Sequence, residues 1–282
     1  MRRASVILSE MEQIITIKNL TGVFESISST HIAKVKSKAE ISASFFDRLW
    51  KLYTQALNTS DTRFGEHNRG NGRAAYVMIS AEGGLSGDID QRLIETVLND
   101  YDVKTTDLIV IGEHGASQLM RRGVSYKYAF SVPSSEIYVD VGPILQIISE
   151  YTQVRVYYEY YVSLGAQEIK QIDLVSQLQS MSNDIPIESE MTDINTVFEP
   201  SREAIVDQME RMMMGLAFSQ VILESGLAQD ASRFNAMVFA KKRSSDLVNE
   251  YSLDFHRSKR SESDRRLREV MTGLKKKKKR LR

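Results

Sequence analysis

The sequence predicts an α/β protein: long N- and C-terminal helices forming an antiparallel coiled coil, with a Rossmann-like α/β domain inserted between them. Three observations carry this. The four prolines, Pro133, Pro143, Pro186 and Pro200, leave residues 1–132 and 201–282 proline-free. A proline inside a helix costs about 3 kcal/mol, so both ends are free to form very long helices. Apolar residues recur at helical spacing through both ends, whereas residues 74–175 alternate short apolar runs with helical stretches, the pattern of a layered α/β domain.

Composition narrows the class. The 282 residues carry 42% hydrophobic and 26% charged side chains, ordinary globular values that argue against wholesale disorder. No run approaches the roughly 18 apolar residues of a membrane span. Cysteine is absent, which excludes disulfides, thiolate metal sites and Cys nucleophiles together. The start, MRRASVILSEMEQII, is basic, but Glu10 and Glu12 interrupt it and no small-residue cleavage site follows, so no secretory or transit peptide is expected.

Taken in order, the division expected is an N-terminal coiled-coil helix over 1–58, an α/β domain with loops over 59–199, and a C-terminal coiled-coil helix with a basic tail over 200–282. In the first helix Ile7, Met11, Ile14, Ile17, Phe24 and Ile27 lie on one face, and the stripe resumes at Val35, Phe45, Phe46, Leu49, Leu52 and Tyr53. NTSDTRFGEHNRGNGR (58–73) is a polar, glycine-rich break. AAYVMIS (74–80) and DLIVIG (107–112) read as buried strands, and AEGGLSGD (81–88) as a loop. Helices are expected from Ile89, over 116–122 and over 144–151. VRVYYEYYVS (154–163) is an aromatic strand that pairs with EIKQIDLV (168–175), and 176–200 is a long polar connection. Ser201 caps the last helix, whose stripe runs from Ile205 through Met209, Met212, Leu216, Leu223, Leu227, Ala231, Phe234 and Met237 to Leu247, Val248, Tyr251 and Phe255. About 80 helical residues extend roughly 120 Å, too long for a compact core, so the stripe requires a partner, and the N-terminal helix is the obvious one.

The formal net charge of zero hides an uneven distribution. Residues 256–282 hold thirteen Lys/Arg and three Asp/Glu, a net of +10, ending in KKKKKRLR (275–282). Such a tail is either solvated or a docking element for nucleic acid or anionic lipid.

Candidate chemical sites are weak. AEGGLSGD sits between a strand and a helix, as a phosphate-cradling loop would, but GGLSG matches neither GxGxxG nor GxxxxGK[ST], so a tight structural turn is favoured. His31, His67, His114 and His256 show no ligand spacing, EHGAS (113–117) lacks GxSxG, and Asp184, Glu188 and Glu190 read as solvated loop charge. No catalytic, cofactor or metal residue is expected. The Met cluster 209–215 reads as coiled-coil filling or a pliable binding face.

Several stretches together resemble the gamma subunit of F-type ATP synthases, the central rotor stalk. IKNLTGVFESI (17–27) is similar to the family's IKNTxKITxAM at Ile17, Lys18, Asn19, Val23 and, loosely, Ile27. ISAEGGLSGDID (79–90) resembles ISDRGLCGGLN with a one-residue offset. IVIGEHG (109–115) looks like the next strand, and FEPS (198–201) like the family's Tyr-Glu-Pro-Ser. ESGLAQDASRFNAM (224–237) is similar to ESxxSEHxxRMxAM at Glu224, Ser225, Arg233, Ala236 and Met237. The chain departs at AKKRS (240–244), where the family has AxxNA, and at FHRSKRSESDRRL (255–267), where Lys259 and Arg260 replace Arg-Gln. It is thus similar to a divergent member, or to the rotor of a specialised variant ATPase.

The resemblance implies a non-catalytic rotor that couples proton or sodium flow to ATP synthesis or hydrolysis. Its implied partners are three alpha and three beta subunits, an epsilon-type subunit and a membrane ring of c-type subunits. It implies no cofactor, no nucleic acid, and membrane association only through the complex. The implied location is the cytoplasmic face of a bacterial plasma membrane, or the matching face of an organelle membrane. Contacts to beta-subunit loops are expected from Arg233, Lys241, Lys242, Arg243, Lys259 and Arg260. A coiled-coil scaffold binding nucleic acid or lipid through its tail, and a small nucleotide-binding enzyme, remain the competing readings of the residues.

Overall fold

The computed structural model describes residues 3–57, 72–133, 140–174 and 201–280. The side chains of the Lys run, most of the 58–73 break and the 176–200 connection with Asp184, Glu188 and Glu190 lie outside the described residues. The elements are α1 (Ala4–Leu57), β1 (Ala74–Ile79), α2 (Ile89–Asp100), β2 (Thr106–Ile111), α3 (Glu113–Arg121), β3 (Tyr128–Phe130), α4 (Gly142–Ile148), β4 (Gln153–Ser163), β5 (Ala166–Asp173) and α5 (Arg202–Arg280). The chain forms two compact units, Ser28–Arg233 and Met1–Ile27 with Phe234–Arg282.

In the first unit the sheet order is β3-β2-β1-β4-β5. The first four strands are parallel, and β5 returns antiparallel to β4. Helices must cross between parallel strands, so both faces are covered, and the central strand β1 is apolar throughout. Odd and even residues of β1 separate the two cores. Ala75, Val77 and Ile79 pack with Ile144 and Ile148 of α4 and Phe218, Val221 and Ile222 of α5. Tyr76 and Met78 pack with Leu93, Ile94 and Val97 of α2 and Leu119 of α3.

Within this unit α5 is embedded: no residue from Met213 to Ser232 is exposed. A single stripe does not describe it there, because the sheet takes one side and α1 another. Phe46, Leu49 and Tyr53 of α1 meet Met213 and Ala217 in a third cluster. The expected stripe residues Phe45, Leu52 and Met212 face outward, at 47%, 50% and 41% exposure. The N-cap expectation is met: the Ala204 N–H donates to Ser201 Oγ at 3.2 Å.

The other unit is an antiparallel pair of helix segments. The Ala4 N–H donates to Glu262 Oε1 at 3.0 Å, Lys18 reaches Ser245 at 3.4 Å, and Lys241 reaches Glu25 at 2.6 Å. Less exposed residues recur with alternating steps of three and four: Ala4, Ile7, Met11, Ile14, Lys18, Thr21 and Glu25 on α1, and Met237, Lys241, Ser244, Val248, Tyr251, Phe255, Ser258 and Glu262 on α5. That is a heptad seam.

The seam corrects the apolar stripe expected on α1. Ile17 and Ile27 are 52% and 43% exposed, and Thr21 is buried. A strict heptad continues from Ile14 to Lys18, Thr21 and Glu25, whatever their polarity, and rotates Ile17, Leu20, Val23 and Ile27 outward. Past Glu262, every described side chain to Leu274 is exposed.

Candidate functional site

In a doubly wound sheet, ligands bind beyond the carboxyl ends of the strands where the strand order reverses. Here that point lies between β1 and β4, beside the 80–88 loop that follows β1. Ser80 fixes the loop's start. Its hydroxyl donates to the carbonyls of Ile111 at 3.0 Å and Gly112 at 3.3 Å, and accepts the Gly115 N–H at 3.2 Å. Glycine is required at both positions that approach Ser80. A Cβ on Gly112, at φ +105°, would lie 2.3 Å from the Ser80 carbonyl oxygen, and one on Gly115 would lie 2.1 Å from Ser80 Oγ. EHGAS is therefore a close-packing helix start. At the loop's tip Leu85 holds φ +71°, a conformation costly for a bulky residue.

The crevice is filled by the chain itself. Ser225 of α5 donates to the Ile79 carbonyl at 3.4 Å, Ser232 donates to the Ser86 carbonyl at 2.6 Å, and Arg233 reaches the Gly83 carbonyl at 3.5 Å. The segment that resembles ESxxSEHxxRMxAM is thus the segment that occupies the place of a nucleotide. The turn reading of AEGGLSGD fits this geometry.

Beneath the loop is a buried polar cluster that sequence reasoning missed. Asp90, 2% exposed, accepts the Ala81 N–H at 3.0 Å, the Ser86 hydroxyl at 2.5 Å and His114 Nδ1 at 3.1 Å. The Gln118 amide approaches His114 Nε2 at 3.4 Å, so a proton on Nδ1 satisfies both contacts. Glu159 of β4 is fully buried, and neither of its carboxyl oxygens has a hydrogen-bond partner with good geometry. Burial first, then the charge and proximity of Asp90, hold its carboxyl well above the ordinary glutamate range, with Gln229 and Arg233 opposing. The one available signal was a lone acid inside the apolar run VYYEYYV. Period-two alternation would turn it to solvent, but β4 is interior and buried on both faces.

The six expected contact residues separate. Arg233 is 18% exposed and pairs with Asp230 at 2.5 Å, so it braces the loop. Lys241 lies in the seam with Glu25. Lys242, Arg243, Lys259 and Arg260 are exposed, with the Lys259 ammonium 5.8 Å from the Phe255 ring centre. On the unpaired end of α5, Leu267, Val270, Met271 and Leu274 form a stripe at steps of three, one and three, each about three-fifths exposed. No group of three potential ligands that could hold a metal ion occurs among the described residues, and none of their helices is long and apolar enough to cross a membrane.

The fold therefore defines a doubly wound α/β block whose ligand crevice is closed by its own C-terminal helix, with extended helices before and after it in sequence. A family model described as ATP synthase matches residues 4–275, and the chain belongs to that family, as a gamma-type central-stalk subunit. It is 21% identical over 273 residues to the ATP synthase gamma chain of Staphylococcus aureus strain JH9, covering 91% of this chain and 93% of that one. The strain Newman gamma chain matches to the same extent.

Among solved structures the fold is similar to a chain of the Euglena gracilis mitochondrial ATP synthase OSCP/F1/c-ring, with a TM-score of 0.65, 13% identity, and 96% and 94% of the two chains covered. It also resembles a chain of the rotor of that enzyme, with a TM-score of 0.61, 12% identity and 91% and 98% coverage. A Tetrahymena thermophila central stalk/c-ring chain gives 0.54, 18% identity and 78% and 99% coverage.

Proposed function

We propose that this gamma-type chain is a non-catalytic rotor. It turns inside a head of three alpha and three beta ATPase subunits and couples ion flow through a c-type ring to ATP synthesis or hydrolysis. The observation that carries this is the filled crevice. The segment 225–233 occupies the crevice at the switch point of the sheet, where a doubly wound block would hold a nucleotide, which supports a reading in which ATP chemistry falls to other subunits. In this reading residues 59–199 hold an epsilon-type subunit and the foot on the ring, and 1–58 with 200–282 form the shaft.

Four exposed cations, Lys242, Arg243, Lys259 and Arg260, are the groups available to meet acidic loops of the beta subunits at particular angles. Each contributes up to about 1 kcal/mol while solvated, and more where the contact excludes water. Arg233 and Lys241 act indirectly, by holding the loop and the seam. The exposed apolar stripe 267–274 suits the inner end of the shaft, where a surrounding bearing covers it. The complex is placed at the cytoplasmic face of a bacterial plasma membrane or the equivalent organelle face.

The test is assembly. The chain should co-purify with nucleotide-binding subunits and change their ATPase rate. Replacing the four cations by alanine should leave assembly intact while weakening the salt-sensitive part of that change. Salt-sensitive binding to DNA, RNA or liposomes by the chain alone, with no effect on the ATPase, would instead support the scaffold reading.

A further inference from the structure

We propose that the apolar groove between α1, α4 and α5 seats this chain's own connection 175–200, whose apolar side chains fill it and whose acids meet the cations on its rim. The inference is independent of the rotor reading, because it concerns only how the α/β block covers its own apolar surface.

The groove lies within the unit Ser28–Arg233 and has a volume of about 1180 Å³. α1 contributes Ile41 and Phe45 to its walls, α4 contributes Leu145 and Ile148, and α5 contributes Met212 and Leu216. Ile41, Phe45 and Met212 are 67%, 47% and 41% exposed. Large apolar side chains gathered round one concavity mark a binding surface, unlike the same residues scattered singly. α5 and α4 approach closely at Gly215, where a Cβ would lie 3.4 Å from Leu145 Cδ1. Met212 and Met214 line the groove, while Met213 packs inward against α1. Unbranched thioethers adjust to an irregular occupant, so the Met-rich run supplies a pliable wall.

Three observations select the occupant. The first is where the connection starts and ends. Asp173 and Leu174, the last described residues before it, line the groove. The described chain resumes at Ser201, and Gln208, about 10 Å further along the helix, lines the groove again with Arg211. The second is composition. The connection carries Leu178, Ile185, Ile187, Ile194, Val197 and Phe198, which gain from leaving water. Pro186 biases Ile185 toward extended backbone, and in an extended chain Ile185 and Ile187 share a face. The third is charge. The connection holds Asp184, Glu188, Glu190, Asp193 and Glu199 and neither Lys nor Arg, whereas Lys38 and Arg211 belong to the groove. The Arg211 guanidinium is exposed and is oriented by Gln208 Oε1 at 2.8 Å. These charges attract the connection. They disfavour the exposed stripe of a second copy, Leu267 to Leu274, which Arg266 and Arg268 accompany.

The chain has no cysteine, so one introduced thiol reports alone. The test uses the full chain carrying Met212→Cys. Alkylation of that thiol by N-ethylmaleimide should run about tenfold or more faster once Ile185→Ser and Ile187→Ser are added. Arg211→Glu, a change at an exposed position, should also speed it. A benzophenone attached to the same thiol should, on irradiation, join to residues within 175–200 of the same chain. Attachment to a second copy, or only to the groove's own walls, would overturn the proposal. So would equal alkylation rates with and without Ile185 and Ile187.

Discussion

The polar layer in the helix seam can be removed, and its cost read directly. Lys241 and Glu25 meet at 2.6 Å at seam positions, with 45% and 25% of their side chains exposed. An ion pair this accessible contributes about 0–1 kcal/mol. A fully buried Leu is worth about 1.5–3 kcal/mol, and roughly two-thirds of that at positions this open. Glu25→Leu with Lys241→Leu should therefore stabilise the pair of helix segments by roughly 1–4 kcal/mol. Glu25→Leu alone should cost about 1 kcal/mol, because it leaves the Lys241 ammonium beside an apolar wall. Denaturant unfolding combined with amide exchange over 14–28 measures both. Seam polarity is expected to fix register at a cost in stability. If both single variants and the double variant lost stability additively, the pairing of these two positions would be wrong.

Other perturbations follow from the block. Gly115→Ala places a Cβ 2.1 Å from Ser80 Oγ and should cost about 2–3 kcal/mol, seen as a lowered melting temperature. Ser232→Ala leaves the Ser86 carbonyl without its donor and should cost about 1–2 kcal/mol in denaturant unfolding. Leu85→Gly should stabilise by about 1 kcal/mol in the same assay, by relieving a positive φ. Burial raises the Asp107 carboxyl, but Lys127, Arg73 and Tyr151 outweigh it and hold the group below its usual range. Its contribution is therefore present above the unfolded value near 3.8 and is lost as pH falls through the depressed one. Asp107→Asn should flatten the acid limb of a stability–pH profile.

The periodic elements were legible because their patterns are local. Proline-free ends gave the long helices, and apolar runs gave β1, β2 and β4. Where the reading failed, tertiary geometry overrode hydrophobicity. Ile17 and Ile27 look like seam residues by type, but a heptad keeps its face and buries Thr21 instead. The stripe on α5 broadened because sheet and helix both cover residues 213–232, which no single periodicity reports. Glu159 was invisible for a related reason: whether a strand is central depends on which strands flank it, and strand order is not written along the chain. Arg233 and Lys241 were picked as cations, yet their partners Asp230 and Glu25 turn them inward. For Lys241 that partner lies 216 residues away in sequence.

The most direct test of the rotor account is rotation. The chain, assembled with its alpha and beta subunits fixed to a surface and carrying a probe on the α/β block, should turn in one direction during ATP hydrolysis, with three pauses per revolution. Hydrolysis by the assembled head while the probe stays still would contradict it.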